Sequence, residues 1–243
     1  MAEPILLLTR PVPAARRFLA ELEIAAGRHL QAVIAPLIRI DAVTPPRPAP
    51  DPAALILTSE RGAEGAARMG YAGLPAWCVG PRTAQAARAA GLVPRDGGGT
   101  AETMLPAILA APDAGPLLHL RGDHQRGDLV ARLRAAGRDC AEAVVYAQTA
   151  QPLPPQGRAL LDGAVPVIAP VFSPRSAALL AGCGPIAAPV AVVAISAAAA
   201  RPFAAPGLTV SIAARPEASA MIEATLGAHA AFGSRDRCPP SGA

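Results

Sequence analysis

The stretch VFSPRSAALLAGCG, residues 171–184, repeats the plan of ILTSERGAEGAARMG, residues 56–70. Each opens on an apolar run of strand length and carries a serine at its carboxyl end, Ser173 or Ser59, with an arginine two residues on. An alanine-rich run of helical length and a glycine stop follow. Serine is a preferred helix N-cap, proline suits the first helical position and glycine the stop, so both stretches read as strand-to-helix corners. Pro174 fills the first helical position after Ser173, and Gly80-Pro81 repeats the arrangement ahead of Thr83.

Working outward, short apolar runs alternate with segments of helical period along the chain. That alternation points to an α/β fold with parallel sheets and helices on both faces. In ILLLTRPVPAARRFLAELEIAAG (5–27), Ala15, Phe18, Leu19, Leu22 and Ala26 share one helical face and Gly27 ends it. LLHLRGDHQRGDLVARLRAAG (117–137) is its partner, with Arg121 placed after its strand as Arg10 is after the first. AWCVGPRTAQAARAAG (76–91) pairs more loosely with VAVVAISAAAARPFAAPG (190–207). The offsets between partners are nearly equal, which fits an internal duplication; the competing reading is the strand-then-helix rhythm of any α/β chain. Proline-rich punctuation at TPPRPAPDP (44–52) and QPLPPQG (151–157) follows the apolar segments VIAPLIRIDAV and EAVVYAQT, as two linker crossings around a middle domain would. RDGGGT (95–100) reads as a loop and GSRDRCPPSGA (233–243) as a disordered tail.

Composition narrows the chemistry. The chain has 243 residues, 52% hydrophobic but only 3% aromatic, so it can build a core and has little with which to stack bases; nucleic acid is not the expected partner. Its net charge is +4, and all 22 basic residues are arginine. Without lysine there is no Schiff base and no Walker-type phosphate loop, while arginine's planar fork suits carboxylate or phosphate. Arginine-only usage equally fits a GC-rich genome. Cys78, Cys140, Cys183 and Cys238 show no C-x-x-C spacing and, apart from Cys238 in a polar tail, read as small apolar residues in a reducing cytoplasm. The start MAEPILLLTRP has too short an apolar run and no basic region for a signal peptide. IAAPVAVVAISAAAA (186–200) falls short of the roughly 20 residues a spanning helix needs, so a buried strand running into a helix is expected and a membrane is not.

Reactive constellations are scarce. There is no G-x-S-x-G elbow, and His29, His119, His124 and His229 have no metal-ligand spacing, so neither a triad nor a metal is expected. His119 within LLHL reads as a core histidine, the glycines at 97–99 as a plain loop, and Arg-Gly-Asp at 121–123 and 126–128 as coincidence. What remains are the corners. The first N–H groups of a helix have no partner within it and carry the positive end of the helix dipole, so each corner can hold an anion at about 0.3–1 kcal/mol from the dipole alone. For any one corner, capping alone is a sufficient explanation; several corners acting together would hold a ligand with many negative groups.

LLLTRP at the start, LILTSERGA (55–63), VGPRTAQAARAAG (79–91), LHLRGD (118–123), AVVYAQT (143–149) and VFSPRSAALL (171–180) together resemble the uroporphyrinogen-III synthase family, in the family's order and over nearly the whole chain. The resemblance implies two flavodoxin-like α/β domains joined by a two-stranded linker. Residues 1–36 plus 151–243 would form a discontinuous domain and 42–146 an inserted one, with linker strands at about 37–41 and 143–150. It implies a cofactor-independent enzyme that closes hydroxymethylbilane, a linear tetrapyrrole with eight carboxylates, to uroporphyrinogen III with loss of water and inversion of the terminal pyrrole. Departure of the hydroxyl is driven by the electron-rich pyrrole, and spontaneous closure gives the unrearranged isomer, so the protein's task is to hold the ends in the geometry that selects a spiro intermediate. By resemblance Ser59, Thr83, Tyr146, Ser173 and Ser196 fall at cleft positions, Arg10, Arg61 and Arg175 are anion partners, and Tyr146 assists the leaving hydroxyl or packs on the linker. Two departures stand out: only alanines follow Ser196, and Glu60 occupies a place where the family often has proline, so it is expected to face solvent. A monomer is expected. The alternative is a non-catalytic two-domain sensor of a tetrapyrrole or other polyanion; a nucleotide-using transferase is disfavoured by the missing glycine fingerprint and lysine.

Overall fold

The computed structural model describes residues 3–111, 115–124, 127–204 and 208–234. The chain divides into two compact units, Met1–Arg39 with Ala150–Ala243 and Ile40–Thr149. It begins with β1 (Ile5–Leu8), α1 (Val12–Ala26) and β2 (Ala32–Ile34), and β3 (Ile38–Ala42) carries it into the second unit. There follow β4 (Ala54–Leu57), α2 (Glu60–Arg68), β5 (Pro75–Cys78), α3 (Pro81–Ala89), β6 (Val93–Asp96), α4 (Ala101–Ala110), β7 (Leu117–Gly122), α5 (Leu129–Ala135) and the long β8 (Cys140–Ala150). The first unit resumes with α6 (Pro155–Asp162), β9 (Val167–Val171), α7 (Pro174–Ala181), β10 (Val190–Ala194), α8 (Ala197–Ala200), β11 (Thr209–Ile212) and α9 (Ala218–Ser234).

Among the described residues, the first unit's sheet runs β11-β10-β9-β1-β2 and the second's β3-β8-β7-β4-β5-β6. The β1–β2, β1–β9, β9–β10 and β10–β11 ladders are parallel, as are β4–β5, β4–β7, β5–β6 and β7–β8. Parallel strands need crossover helices, which is why β9 and β10, covered on both faces, are buried at every position. β3 runs the other way beside β8: Leu37 O accepts from Gln151 N and Val145 O from Val43 N, each at 3.0 Å, so residue numbers rise on one strand as they fall on the other.

Local chemistry fixes the ends. α1 buries Ala15, Phe18 and Leu22 and stops at Gly27, whose φ of 64° is left-handed. β10 runs into α8, as the apolar stretch 186–200 predicts. Each sheet has a core on both faces, one around Leu7, Val167, Val192 and Phe203 and another around Leu8, Phe18, Ile168 and Met221 in the first unit. In the second, α2 and α3 cover Leu55, Leu57, Leu118 and Leu120, while Met104, Ile108, Val130 and Leu133 of α4 and α5 cover Ile56 and Trp77. No described helix is long and apolar enough to cross a membrane. α9 extends into the first two residues of the expected tail; the rest of that tail with Cys238, and Arg126 of the second Arg-Gly-Asp, lie outside the described residues.

Candidate functional site

In an open parallel sheet a crevice forms beyond the carboxyl ends of the strands where the connections change direction. In the second unit that point lies between β4 and β7, since β5 and β6 continue on one side of β4 and β7 and β8 on the other. Ser59 follows β4, and its Oγ accepts the N–H of Gly62 at 3.2 Å as the N-cap of α2. The same oxygen lies 3.3 Å from Tyr146 Oη, so two residues 87 apart in sequence meet here. A β-bulge makes this possible. The β7–β8 register jumps from Arg121↔Val144 to Gly122↔Tyr146, so Val145 and Tyr146, which would alternate in a regular strand, both lie on the α2 side. Gly122 makes room for the phenol, because a β-carbon there would sit 2.5 Å from Tyr146 Cε2. Asp123 locks the turn: its N–H donates to Tyr146 O at 3.1 Å and its Oδ1 accepts from Gln148 N at 3.0 Å.

Other expected residues of this unit are placed differently. Arg61 donates through Nη1 to both oxygens of Glu64, at 2.9 and 2.7 Å, so its charge is already balanced on its own helix. Thr83 is 4% exposed within α3. α3 is capped by Gly80 with no side-chain hydrogen bond and starts on Pro81, leaving first-turn amides without an internal partner. Glu60 is half-buried. On the opposite face of the sheet, His119 is 3% exposed and its Nε2 lies 3.1 Å from Thr58 Oγ1. Burial pushes this imidazole down to about 4, so it is neutral at physiological pH. Beside it Arg121 grips Glu142 through two nitrogens, at 3.1 and 2.8 Å, which holds the carboxyl below its ordinary value.

In the first unit the corresponding point lies between β1 and β9. Their ladder registers only Ile5↔Val167 and Leu6↔Ile168. Pro170, two residues on, has no N–H to extend it. Arg10, after β1, lies over the ring of Phe172 at 3.9 Å, a cation–π contact that brings the guanidinium to the residue before Ser173. Ser173 caps α7 by accepting from Ser176 N at 3.1 Å, and its Oγ lies 2.8 Å from Ser176 Oγ. Pro174 is at the first helical position and Arg175 at the second, half-buried. Ser196 also caps, accepting from Ala199 N at 3.4 Å, but α8 is a single four-residue turn whose dipole is a fraction of that of α7.

All three serines thus spend an acceptor on their own helix, and Ser59 and Ser173 also have a second hydroxyl neighbour in Tyr146 and Ser176, so what each corner still offers a ligand is chiefly backbone N–H groups. Among the described residues no group of three His, Cys, Asp or Glu side chains could hold a metal. Gly122, Asp123, Thr58 and Phe172 shape the corners, although in the sequence Gly122 and Asp123 read only as a coincidental Arg-Gly-Asp and as part of the family string LHLRGD.

The family model described as uroporphyrinogen-III synthase HemD matches residues 19–223. No curated protein matches the sequence. Among solved structures, uroporphyrinogen-III synthetase from Helicobacter pylori aligns at 17% identity with a TM-score of 0.65, covering 93% of this chain and all of that one. A mutant uroporphyrinogen III synthase from Thermus thermophilus aligns at 19% identity with a TM-score of 0.50, covering 96% and 100%. At such identities the likeness is one of fold, while the family match spans most of the sequence and takes in Ser59, Tyr146 and Ser173. The chain belongs to the uroporphyrinogen-III synthase family.

Proposed function

We propose that this enzyme, a uroporphyrinogen-III synthase by family that cyclises hydroxymethylbilane in tetrapyrrole biosynthesis, handles the departing hydroxyl at the corner between β4 and α2. The observation that carries the reading is the 3.3 Å approach of Ser59 Oγ and Tyr146 Oη at the second unit's sheet reversal. Gly62 N–H already donates to Ser59 Oγ, which polarises the serine hydroxyl as a donor to Tyr146 Oη. The phenol hydrogen is then free for the substrate's hydroxyl, whose loss as water leaves the cationic azafulvene conjugated to the electron-rich pyrrole. Within the second unit the first-turn amides of α2 and α3 suit carboxylate arms, and within the first unit those of α7, with Arg10 and Arg175 beside Ser173, suit them likewise. Arg61, Thr83 and Ser196 receive no ligand role, for the reasons of pairing, burial and helix length given above.

The reaction calls for no cofactor, and we place it in a cytoplasmic monomer without a nucleic-acid partner. Free Cys78, Cys140 and Cys183 fit a reducing compartment, and burial pushes the Cys78 and Cys140 thiols up to about 11, which keeps them unreactive. The test is to supply hydroxymethylbilane and resolve the isomers: the type III product should predominate, and type I alone would overturn the reading. Tyr146→Phe should lower kcat by at least about tenfold while binding persists, a floor below the roughly hundredfold usual for a general acid because the pyrrole already drives the departure. An unchanged rate would remove Tyr146 from the mechanism.

A further inference from the structure

β7 opens Leu117-Leu118-His119-Leu120, leucine at every position but one. Leu118 and Leu120 pack under α2 and α3, Leu117 packs on the opposite face, and between them stands His119, also on that opposite face and 3% exposed. An imidazole is a poor choice there on packing grounds. It takes a polar ring out of water, and its Nδ1 has no hydrogen-bond partner. A buried N–H without an acceptor is the costlier orphan, so Nδ1 carries the lone pair and Nε2–H donates to Thr58 Oγ1 at 3.1 Å.

The position of that one bond gives it meaning. His119 is in register with Ile56, yet the bond reaches two residues further along, past the end of β4 at Leu57. Thr58 lies beyond the β4 ladder and directly precedes Ser59. We propose that His119 is a positioning residue for the reaction: from the far face of the sheet it holds Thr58, and through Thr58 the turn that aims Ser59 at Tyr146. The corner is thereby gripped from both faces, by His119 on Thr58 below and by Tyr146 on Ser59 above. The imidazole is suited to this because it stays neutral, while the charges nearest it on the same face, Arg121 and Glu142, are bonded to each other.

The inference rests on the assignment of the Ser59–Tyr146 corner, so the experiment carries both. In the full-length enzyme, kcat, KM and the type III to type I product ratio are measured for His119→Leu, Thr58→Val, the double variant and His119→Gln, beside Ser59→Ala and Tyr146→Phe. His119→Leu and Thr58→Val should each lower kcat about five- to tenfold, leave KM within about twofold and raise the type I share, because a misaimed site holds the pyrrole ends less well. The double variant should be no worse than either single one, since both remove the same bond. His119→Gln, whose amide can still donate to Thr58, should recover most of the rate and the isomer ratio. Wild-type kcat and isomer ratio in Thr58→Val, or losses that multiply in the double variant, would overturn the role of His119. If His119→Leu does not fold, Thr58→Val decides alone, since it removes one hydroxyl at constant volume. Silent Ser59→Ala and Tyr146→Phe would sink the corner itself; impaired ones beside a silent Thr58→Val would sink only the part given to His119.

Discussion

At Gly122 a β-carbon would lie 2.5 Å from Tyr146 Cε2 and 2.6 Å from Cζ, so the candidate acid lies in space that only glycine leaves open. Residue chemistry of this kind divides by sequence distance. That Ser59, Ser173 and Ser196 cap helices is readable from a serine ahead of a helical run, and the Arg61–Glu64 pair is readable from its spacing. The bond between Thr58 and His119 spans 61 residues, and no local pattern announces it, so His119 reads in sequence only as a core histidine. Its burial has a consequence for stability. The imidazole is pushed from 6.5 down to about 4 in the folded protein, so as pH falls the unfolded chain takes up the proton first. The neutral ring's contribution is complete above about 6.5 and lost progressively towards 4, on the order of 3 kcal/mol in all. Urea unfolding from pH 7.5 to 4 should therefore show wild type losing more stability than His119→Gln, which has no such proton to take up. Parallel curves would mean the imidazole is solvated in the folded state.

At the scale of elements, strands, helices and their caps follow from apolar runs, serines and glycines, because those signals are local. The closeness of α2 to the sheet does not. ERGAEGAAR looks like a weak helix with two glycines, yet both are needed: a β-carbon at Gly62 would come within 2.8 Å of Leu120 O, and one at Gly65 within 2.5 Å of Val145 Cβ. Small residues let α2 lie down on β7 and β8, and this is what brings Ser59 to the bulge that carries Tyr146. Two competing magnitudes make it testable. Glycine to alanine within a helix ordinarily gains about 0.5–1 kcal/mol, but overpacking a rigid contact costs about 1–3. Gly65→Ala should therefore destabilise by roughly 1–2 kcal/mol net, because Val145 is itself fully buried and has little room to yield. Gly227→Ala in α9, where a β-carbon meets nothing within 4 Å, should instead stabilise by about 0.5–1 kcal/mol. Denaturant midpoints of the two variants check both signs, and a gain at Gly65 would mean that α2 rides higher on the sheet than described.

For the whole molecule, the repeated sequence units occupy repeated places. β9, β4 and their serine corners correspond, as do β10 with β5 and β1 with β7, and the neighbour orders β11-β10-β9-β1-β2 and β6-β5-β4-β7-β8 then match strand for strand. Duplication explains that agreement better than the strand-helix rhythm of α/β chains, since rhythm sets alternation and not lateral order. The first unit meets its last two equivalents, β1 and β2, at the start of the chain, so its sheet is assembled from segments separated by the whole second unit. β1 nevertheless lies between β9 and β2, with Leu6, Leu7 and Leu8 each no more than 1% exposed, so neither segment has a finished core without the other. The ends of the two segments are close: Gln151 N donates to Leu37 O at 3.0 Å. A chain in which residues 40–149 are replaced by a short Gly-Ser turn should therefore fold, since closing a short loop between neighbouring ends costs little entropy. We expect cooperative urea unfolding of this shortened chain, with an m value in proportion to its reduced buried surface, while residues 1–39 alone stay unfolded. It should form no uroporphyrinogen III, because Ser59 and Tyr146 leave with the excised unit. A gradual, non-cooperative melt would show that the first unit's two cores depend on the second for their order.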